Sequence, residues 1–526
     1  MLAAIRSAAV VGVDAYDVLV EVDCAHGLPL FTVVGLPAGS VKESRERVSA
    51  ALLNSGFALP ARRITVNLAP ADVKKEGTAF DVPIALGILV ATGQLDHDDV
   101  APLVVLGELG LDGSIRAVRG ALPVACRIRQ ASARPALVLP PANVAEASLA
   151  SGVRLCAPGS LLELVRQLRH GQLEDAKVPR RVATPAAPGD DFADVVGQAA
   201  AKRALEVAAA GAHNVLLVGP PGAGKTMLAR RLPGILPQLR EDEVLEVVTI
   251  QSVAGLLPHD ARPAIERPFR APHHSISSAG LVGGGSNPRP GEVSLAHHGV
   301  LFLDELLEFP RYVLDGLRQP MEDGRVVIAR AATAVTFPAR FTLIGATNPC
   351  PCGRLGDPTG NCSCAPSEVA RYRARLSGPL ADRIDMHVTV GAVPLTALGE
   401  PRPGGDGDSS AAIRARVERA REAQRTRYLA AGLATTNAHA PGRWLATHAG
   451  IERDARRLLA QAAERLALSA RAYHRVLRVA RTIADLAGEE TVSPSAVAEA
   501  LRWRPATMGA VVMGSAQPAL AALAET

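Results

Sequence analysis

The chain is poor in aromatic rings, in long apolar runs and in charge of one sign. Phe, Trp and Tyr make up 3% of 526 residues while Ala and Arg abound, a bias of coding more than of chemistry. No stretch approaches the roughly 18 uninterrupted apolar residues of a membrane span. Met1–Val13 lacks the charged start, apolar centre and cleavage pattern of a signal peptide. No membrane association and a cytoplasmic location are therefore expected. Lys and Arg number 57 against 52 Asp and Glu, a net charge of +5 that permits a nucleic-acid partner without requiring one. Of seven cysteines, Cys24, Cys126 and Cys156 are scattered and four cluster, which in a reducing compartment argues against a disulfide framework. What remains is ordinary globular composition, 48% hydrophobic and 21% charged, over a length that one core does not serve.

Within that background, Gly219–Thr226 stands out as Gly219, Pro220, Pro221, Gly222, Ala223, Gly224, Lys225, Thr226. The apolar run Val215–Val218 enters it and Met227–Leu232 leaves it, so a buried strand feeds a glycine-rich turn that opens a helix. Glycines let backbone N–H groups turn inward around a phosphate chain, Lys225 reaches the terminal phosphates, Thr226 offers a hydroxyl to Mg2+, and the helix N-terminus adds partial positive charge. The plain alternative is a glycine-rich strand–helix turn. About 80 residues on, Gly299–Glu305 is an apolar strand ending in two carboxylates. Asp304 there can hold Mg2+ through its shell, and Glu305 can polarise an attacking water. A third strand, Phe341–Ala346, leads to Asn348, whose amide can orient that water. This order of phosphate loop, acidic strand and Asn-tipped strand resembles the AAA+ ATPases and implies ATP as substrate. Val196 and Gly197, in the Phe192–Gln198 lead-in, are candidate base contacts or a simple helix-start turn.

Residues 1–170 alternate strand-like runs (Asp17–Val22, Leu30–Val34, Ile64–Leu68) with helical ones (Val41–Ser55, Pro83–Thr92), an α/β domain. Its wording, Val33-Val-Gly-Leu-Pro, Ile64-Thr-Val-Asn-Leu-Ala-Pro-Ala-Asp and Lys75-Glu-Gly-Thr-Ala-Phe-Asp, resembles the N-terminal domain of the ComM/YifB Mg-chelatase-like proteins. The resemblance implies a fold similar to the ribosomal-S5-like fold of the Lon protease domain. Ala79 and Leu122 stand where a Ser/Lys peptidase dyad would be sought, so no peptidase is expected. A polar, proline-rich linker (171–190), an AAA+ parallel-sheet core (191–397), a Gly/Pro-rich joint (398–410) and an all-helical lid (411–526) complete the expected organisation. In the lid Ser493 is the expected N-cap of a last helix begun by Pro494.

Four features remain. Arg267–His298 is too long and glycine-rich for an ordinary connection; in the helicase-like branch of AAA+ proteins an insertion at this place projects towards the ring centre. Its pairs His273-His274 and His297-His298 are weak metal candidates, lacking a carboxylate or thiol at recognisable spacing. Gly324–Pro338 alternates about Arg330-Ala-Ala-Thr as a β-hairpin. Helicases of this branch carry a basic-tipped channel hairpin there, which makes Arg330 a DNA-contact candidate; in isolation it is a solvated turn residue. Cys350, Cys352, Cys362 and Cys364 form two Cys-x-Cys pairs able to give four thiolates to Zn2+, or to remain reduced thiols. Finally, the family pattern around Arg371–Asp385 implies that Arg383 reaches the γ-phosphate of a neighbouring subunit, although an Arg so close to Asp385 is otherwise an ion pair. Arg471 matches the lid arginine that touches nucleotide, with Arg475, Arg478 and Arg481 as competitors or solvating residues. The resemblance thus implies a ring, a hexamer, working on single-stranded or branched DNA as a helicase or branch-migration motor in uptake and recombination of transforming DNA. A chelatase-type motor and an ATP-dependent protein-remodelling factor are the rivals.

Overall fold

The structure is a computed structural model that describes residues 2–37, 39–71, 73, 75, 77–178, 190–257, 266–285, 288–330, 333–356, 360–392, 409–433 and 435–504, with 40, 42, 330 and 333 by backbone alone. The proline-bearing part of the expected linker, most of the 398–410 joint and the tail beyond Arg504 lie outside the described residues.

In the N-terminal domain, Leu2–Val11 and Asp14–Ala25 form a long antiparallel pair, joined by Arg63–Ala69 and, in parallel, by Leu30–Val34. Alternation along the second strand buries Val18, Val20 and Val22. These face the helix Asp81–Ala91, every residue of which is buried. That contact is so close that a β-carbon on Gly87 would lie 2.4 Å from Val22 Cγ2. A parallel three-stranded sheet, Leu103–Val105, Ala136–Val138 and Leu155–Cys156, completes the domain. Leu122 is fully buried in the core beneath it, and the same cluster takes in Val244 and Val248 from the helix Glu241–Ala254 of the next domain.

The central sheet is parallel throughout, in the order Phe269–Arg270, Val300–Leu303, Thr342–Thr347, Val215–Val218, Met386–Thr389. Strands Val300–Leu303 and Thr342–Thr347 are buried at every position because both faces of the sheet are covered. The Phe269–Arg270 strand corrects the reading of 267–298 as an interruption: the segment supplies the sheet edge and then two short helices, Ser278–Val282 and Glu292–Leu295. After the acidic strand the chain forms two short helices, Arg311–Asp315 and Arg318–Asp323. The hairpin is observed as Arg325–Arg330 paired with Thr333–Pro338.

Among the described residues the lid has five α-helices: Ser410–Leu429, Gly442–His448, Arg453–Arg465, Ala470–Ala487 and Pro494–Arg502. One hydrophobic cluster runs from Val215, Ile344 and Met386 of the sheet to Leu477 and Ile483 of the lid. Arg421 and Gln424 donate to the carbonyls of Ala209 and Ala210, closing the C-terminus of the helix Ala199–Gly211. Ser493 does sit at the N-cap position, but its hydroxyl bonds Glu489 and Ser495 instead of capping the backbone.

Candidate active site

In an open parallel sheet the loops at the C-terminal strand ends form the binding crevice. Here the central strand, Val215–Val218, delivers the phosphate loop to that edge. Gly219 must be glycine, since a β-carbon would stand 2.1 Å from the Val390 carbonyl oxygen. Gly224, at φ +85°, makes the left-handed turn that starts the helix Lys225–Arg231. The loop, Asp304, Glu305, Thr347 and Asn348 line a cavity of about 400 Å³.

The chemistry of that cavity is set by short contacts. Lys225, 8% exposed, donates from Nζ to the carbonyls of Gly219 (2.7 Å) and Pro220 (2.9 Å) and to Asn348 Oδ1 (3.2 Å). Burial draws its pKa down, against the carboxylates of Asp304 and Glu305. Thr226 Oγ1 donates to Asp304 Oδ2 at 2.6 Å, and Asp304 Oδ1 accepts from the Glu305 backbone N–H at 3.0 Å. A hydroxyl and a carboxylate adjoining at a helix N-terminus are the oxygen donors that suit Mg2+ beside a phosphate chain. Glu305 holds φ +50°, a left-handed conformation costing on the order of 1 kcal/mol in a non-glycine residue. That turn leaves its carboxylate 57% exposed at the cavity mouth. The residues read from sequence as phosphate loop, Asp304, Glu305 and Asn348 thus converge. Val196 and Gly197 do not line the cavity; their neighbour Gln198 instead ties the Ala223 carbonyl to that of Gly391.

Two further clusters flank the site. All four sulfurs of Cys350, Cys352, Cys362 and Cys364 lie within 4.8 Å of one another. His297 Nε2 and His298 Nε2 reach Glu246 Oε2 at 2.8 and 2.6 Å, and these two hydrogen bonds hold the Glu246 carboxyl well below the usual carboxylate range. Glu246 is the carboxylate that sequence spacing did not reveal. The trio is nonetheless a poor metal site: His297 Nδ1 accepts from the Arg340 backbone N–H at 2.9 Å, so the neutral ring carries its proton on Nε2, the atom a metal would need.

The magnesium chelatase ChlI family model matches residues 191–398, the ChlI subunit model 20–143 and the ChlI C-terminal model 407–504. Competence protein ComM of Haemophilus influenzae is 45% identical over 512 residues, covering 96% of this chain and 97% of that protein. The chain belongs to the ComM/YifB family of Mg-chelatase-like AAA+ ATPases. YifB of Salmonella typhimurium is 42% identical over 504 residues, 96% and 97% of the two chains. Lon protease 2 of Bacillus subtilis is 30% identical over 181 residues, 30% of this chain and 33% of that one, in keeping with the Lon-like part of the fold.

The arginines expected from this family lie less simply. Arg383 is paired within its own chain: Nη2 lies 2.5 Å from Glu322 Oε1, Nη1 donates to the Pro379 carbonyl, and Nε is buried without a partner among the described residues. The anticipated alternative, pairing with Asp385, is not what forms. Asp385 instead accepts from the Asn214 N–H and faces His213 and Arg475. Arg471 is exposed in the first turn of its helix and does not line the cavity. Its competitors are structural: Arg475 faces Asp385, Arg478 donates to the Ala440 carbonyl, and fully buried Arg481 binds Asp485 and the carbonyls of Ala449 and Glu490.

His274, a weak metal candidate from sequence, places Nδ1 3.6 Å from Glu305 Oε2, with the His273 ring tilted against it at 4.0 Å and Phe309 at its edge. His274→Ala is expected to keep ATP affinity and lower turnover about tenfold if Glu305 is the base, since that carboxylate then loses a positioning neighbour. Steady-state kinetics showing an altered KM at unchanged kcat would contradict it.

Proposed function

We propose that the protein is an ATP-driven DNA motor of the helicase or branch-migration kind, working as a hexameric ring in the cytoplasm on single-stranded or branched DNA during transformation or recombination. The reading divides the chain into the Lon-like domain (1–170), linker (171–190), motor core (191–397), joint (398–410) and lid (411–526). ATP is the substrate, held by the backbone of Gly219–Thr226 and by Lys225. Thr226 and Asp304 would hold Mg2+, which supplies charge to the phosphates. Glu305 takes the proton of the attacking water, Asn348 orients that water, Arg383 reaches the γ-phosphate from the neighbouring subunit, and Arg471 of the lid touches the bound nucleotide.

The observation that carries the DNA reading is the hairpin. Its base is closed by the Ala339 N–H donating to the Gly324 carbonyl at 2.8 Å, and the Thr342–Thr347 strand that ends beside Asn348 begins three residues later. The hairpin base and the proposed nucleotide sensor thus lie at opposite ends of the Thr342–Thr347 strand. The Arg330 backbone closes the first strand opposite Thr333; its side chain lies outside the described residues. A guanidinium at that tip grips phosphate without reading bases. Arg330→Ala should therefore keep basal ATP hydrolysis, weaken binding equally for unrelated DNA sequences, flatten its salt dependence and fail to unwind a fork. Full fork unwinding by Arg330→Ala at moderate salt would defeat the channel role. Absence of unwinding by the unaltered protein, with hydrolysis stimulated by unfolded protein or by porphyrin-binding subunits, would favour the rival motors.

A further inference from the structure

We propose that Cys350, Cys352, Cys362 and Cys364 hold one structural Zn2+ in a four-thiolate site that braces the Asn348 turn against the phosphate loop. The sulfurs of Cys350, Cys352 and Cys362 are 3.4, 3.7 and 3.6 Å apart. A disulfide requires about 2.05 Å, whereas four ligands at about 2.3 Å around a tetrahedral ion sit about 3.8 Å from one another. Four thiols gathered at that spacing have little to gain from each other, because S–H is a weak donor and sulfur a weak acceptor. A shared divalent cation accounts for all four at once.

The surroundings are those of a metal thiolate. The backbone N–H groups of Arg354 and Ser363 point at Cys352 sulfur, that of Cys364 at Cys362 and that of Cys352 at Cys364. Such donors stabilise thiolate charge and orient ligands. Four thiolates around Zn2+ carry a net charge of two minus. The Arg373 guanidinium, donating to the Pro349 carbonyl at 3.1 Å and acting electrostatically on Cys350, partly offsets it. On binding, each thiol proton goes to solvent, so uptake is expected to weaken as pH falls.

The site's position gives it a task. Cys350 is fully buried two residues beyond Asn348, the partner of Lys225. Between the cysteine pairs Gly353, at φ +78°, packs so tightly on the phosphate loop that a β-carbon would lie 2.5 Å from Pro221 Cδ. An ion at the cluster therefore fixes a turn that touches both walls of the cavity.

The test uses the full chain, purified reduced and without chelator. Elemental analysis should give one zinc per chain, and protein produced with cobalt should show the ligand-field absorption of tetrahedral cobalt thiolate. Cys352→Ser with Cys364→Ser should lose the metal, while Cys126→Ser, outside the cluster, keeps it. Stripping zinc with a mercurial and a chelator should raise hydrogen exchange across 348–356. Metal-free reduced protein, an iron chromophore, zinc retained by the double variant, or exchange unchanged by stripping would each overturn the proposal. If the double variant does not fold, the cobalt spectrum of the unaltered chain decides. Nucleotide binding is measured separately, so failure here leaves the ATPase reading standing.

Discussion

Glu305→Gln is expected to bind ATP about as tightly as the unaltered protein and to hydrolyse it at least about 100-fold more slowly, the usual scale of general-base removal. On the proposed reading the side chains that grip phosphate and Mg2+ are Lys225, Thr226 and Asp304, and their hydrogen bonds run to one another, to Asn348 and to backbone groups; from residue 305 Asp304 accepts the backbone N–H, which glutamine retains. Glutamine also keeps the size of the side chain at the cavity mouth, so the change removes basicity and little else. Fluorescent-nucleotide titration and single-turnover hydrolysis separate the two quantities. Unchanged single-turnover rate would end the assignment of Glu305 as base, and lost binding would recast it as a structural residue.

A second large effect is expected at the subunit boundary. Arg383→Ala should retain ATP binding but lose turnover about 1,000-fold, the lower range for a transition-state arginine supplied in trans. Lys225→Ala should fail to bind ATP at all. Mixed together, the two variants should recover part of the activity if the proposed ring forms, because some interfaces then set an intact Lys225 against an intact Arg383. The pairing of Arg383 with Glu322 sharpens the experiment: a guanidinium 13% exposed and hydrogen-bonded in its own chain must exchange that partner to reach a neighbour. Glu322→Gln should therefore leave turnover intact, whereas a purely structural Arg383 predicts that Glu322→Gln destabilises the chain and that mixing restores nothing.

What the sequence disclosed and concealed follows from the reach of each signal. Phosphate loop, acidic strand and Asn-tipped strand were readable because each is a contiguous apolar run ending in chemistry, and a parallel sheet brings such ends to one edge. The hairpin was readable because alternation about a short turn is local. Leu2–Val11 was not, since its small residues Ala3, Ala4, Ser7, Ala8 and Ala9 carry little β preference; pairing along its whole length with residues 14–23 makes it a strand. Phe269–Arg270 is too short for any periodicity and exists through its register with Val300–Leu301. The Glu246 carboxylate lies 51 residues from His297 and the approach of His274 to Glu305 depends on where a loop folds back, neither of which spacing encodes.

The Thr342–Thr347 strand has a mechanical consequence. Six residues at about 3.3 Å each make a rod about 20 Å long, buried at every position and laced to a parallel neighbour along each edge. Such a rod neither bends nor stretches appreciably; it can only slide or tilt as a piece. On the proposed reading, a displacement of a fraction of an ångström where Asn348 meets the phosphates arrives at the hairpin base undiminished, and the hairpin, as a lever fixed to the rod's far end, enlarges it at the tip. A load applied at the tip travels the same shaft in reverse, which would let strain on the DNA hold the sensor amide away from its water.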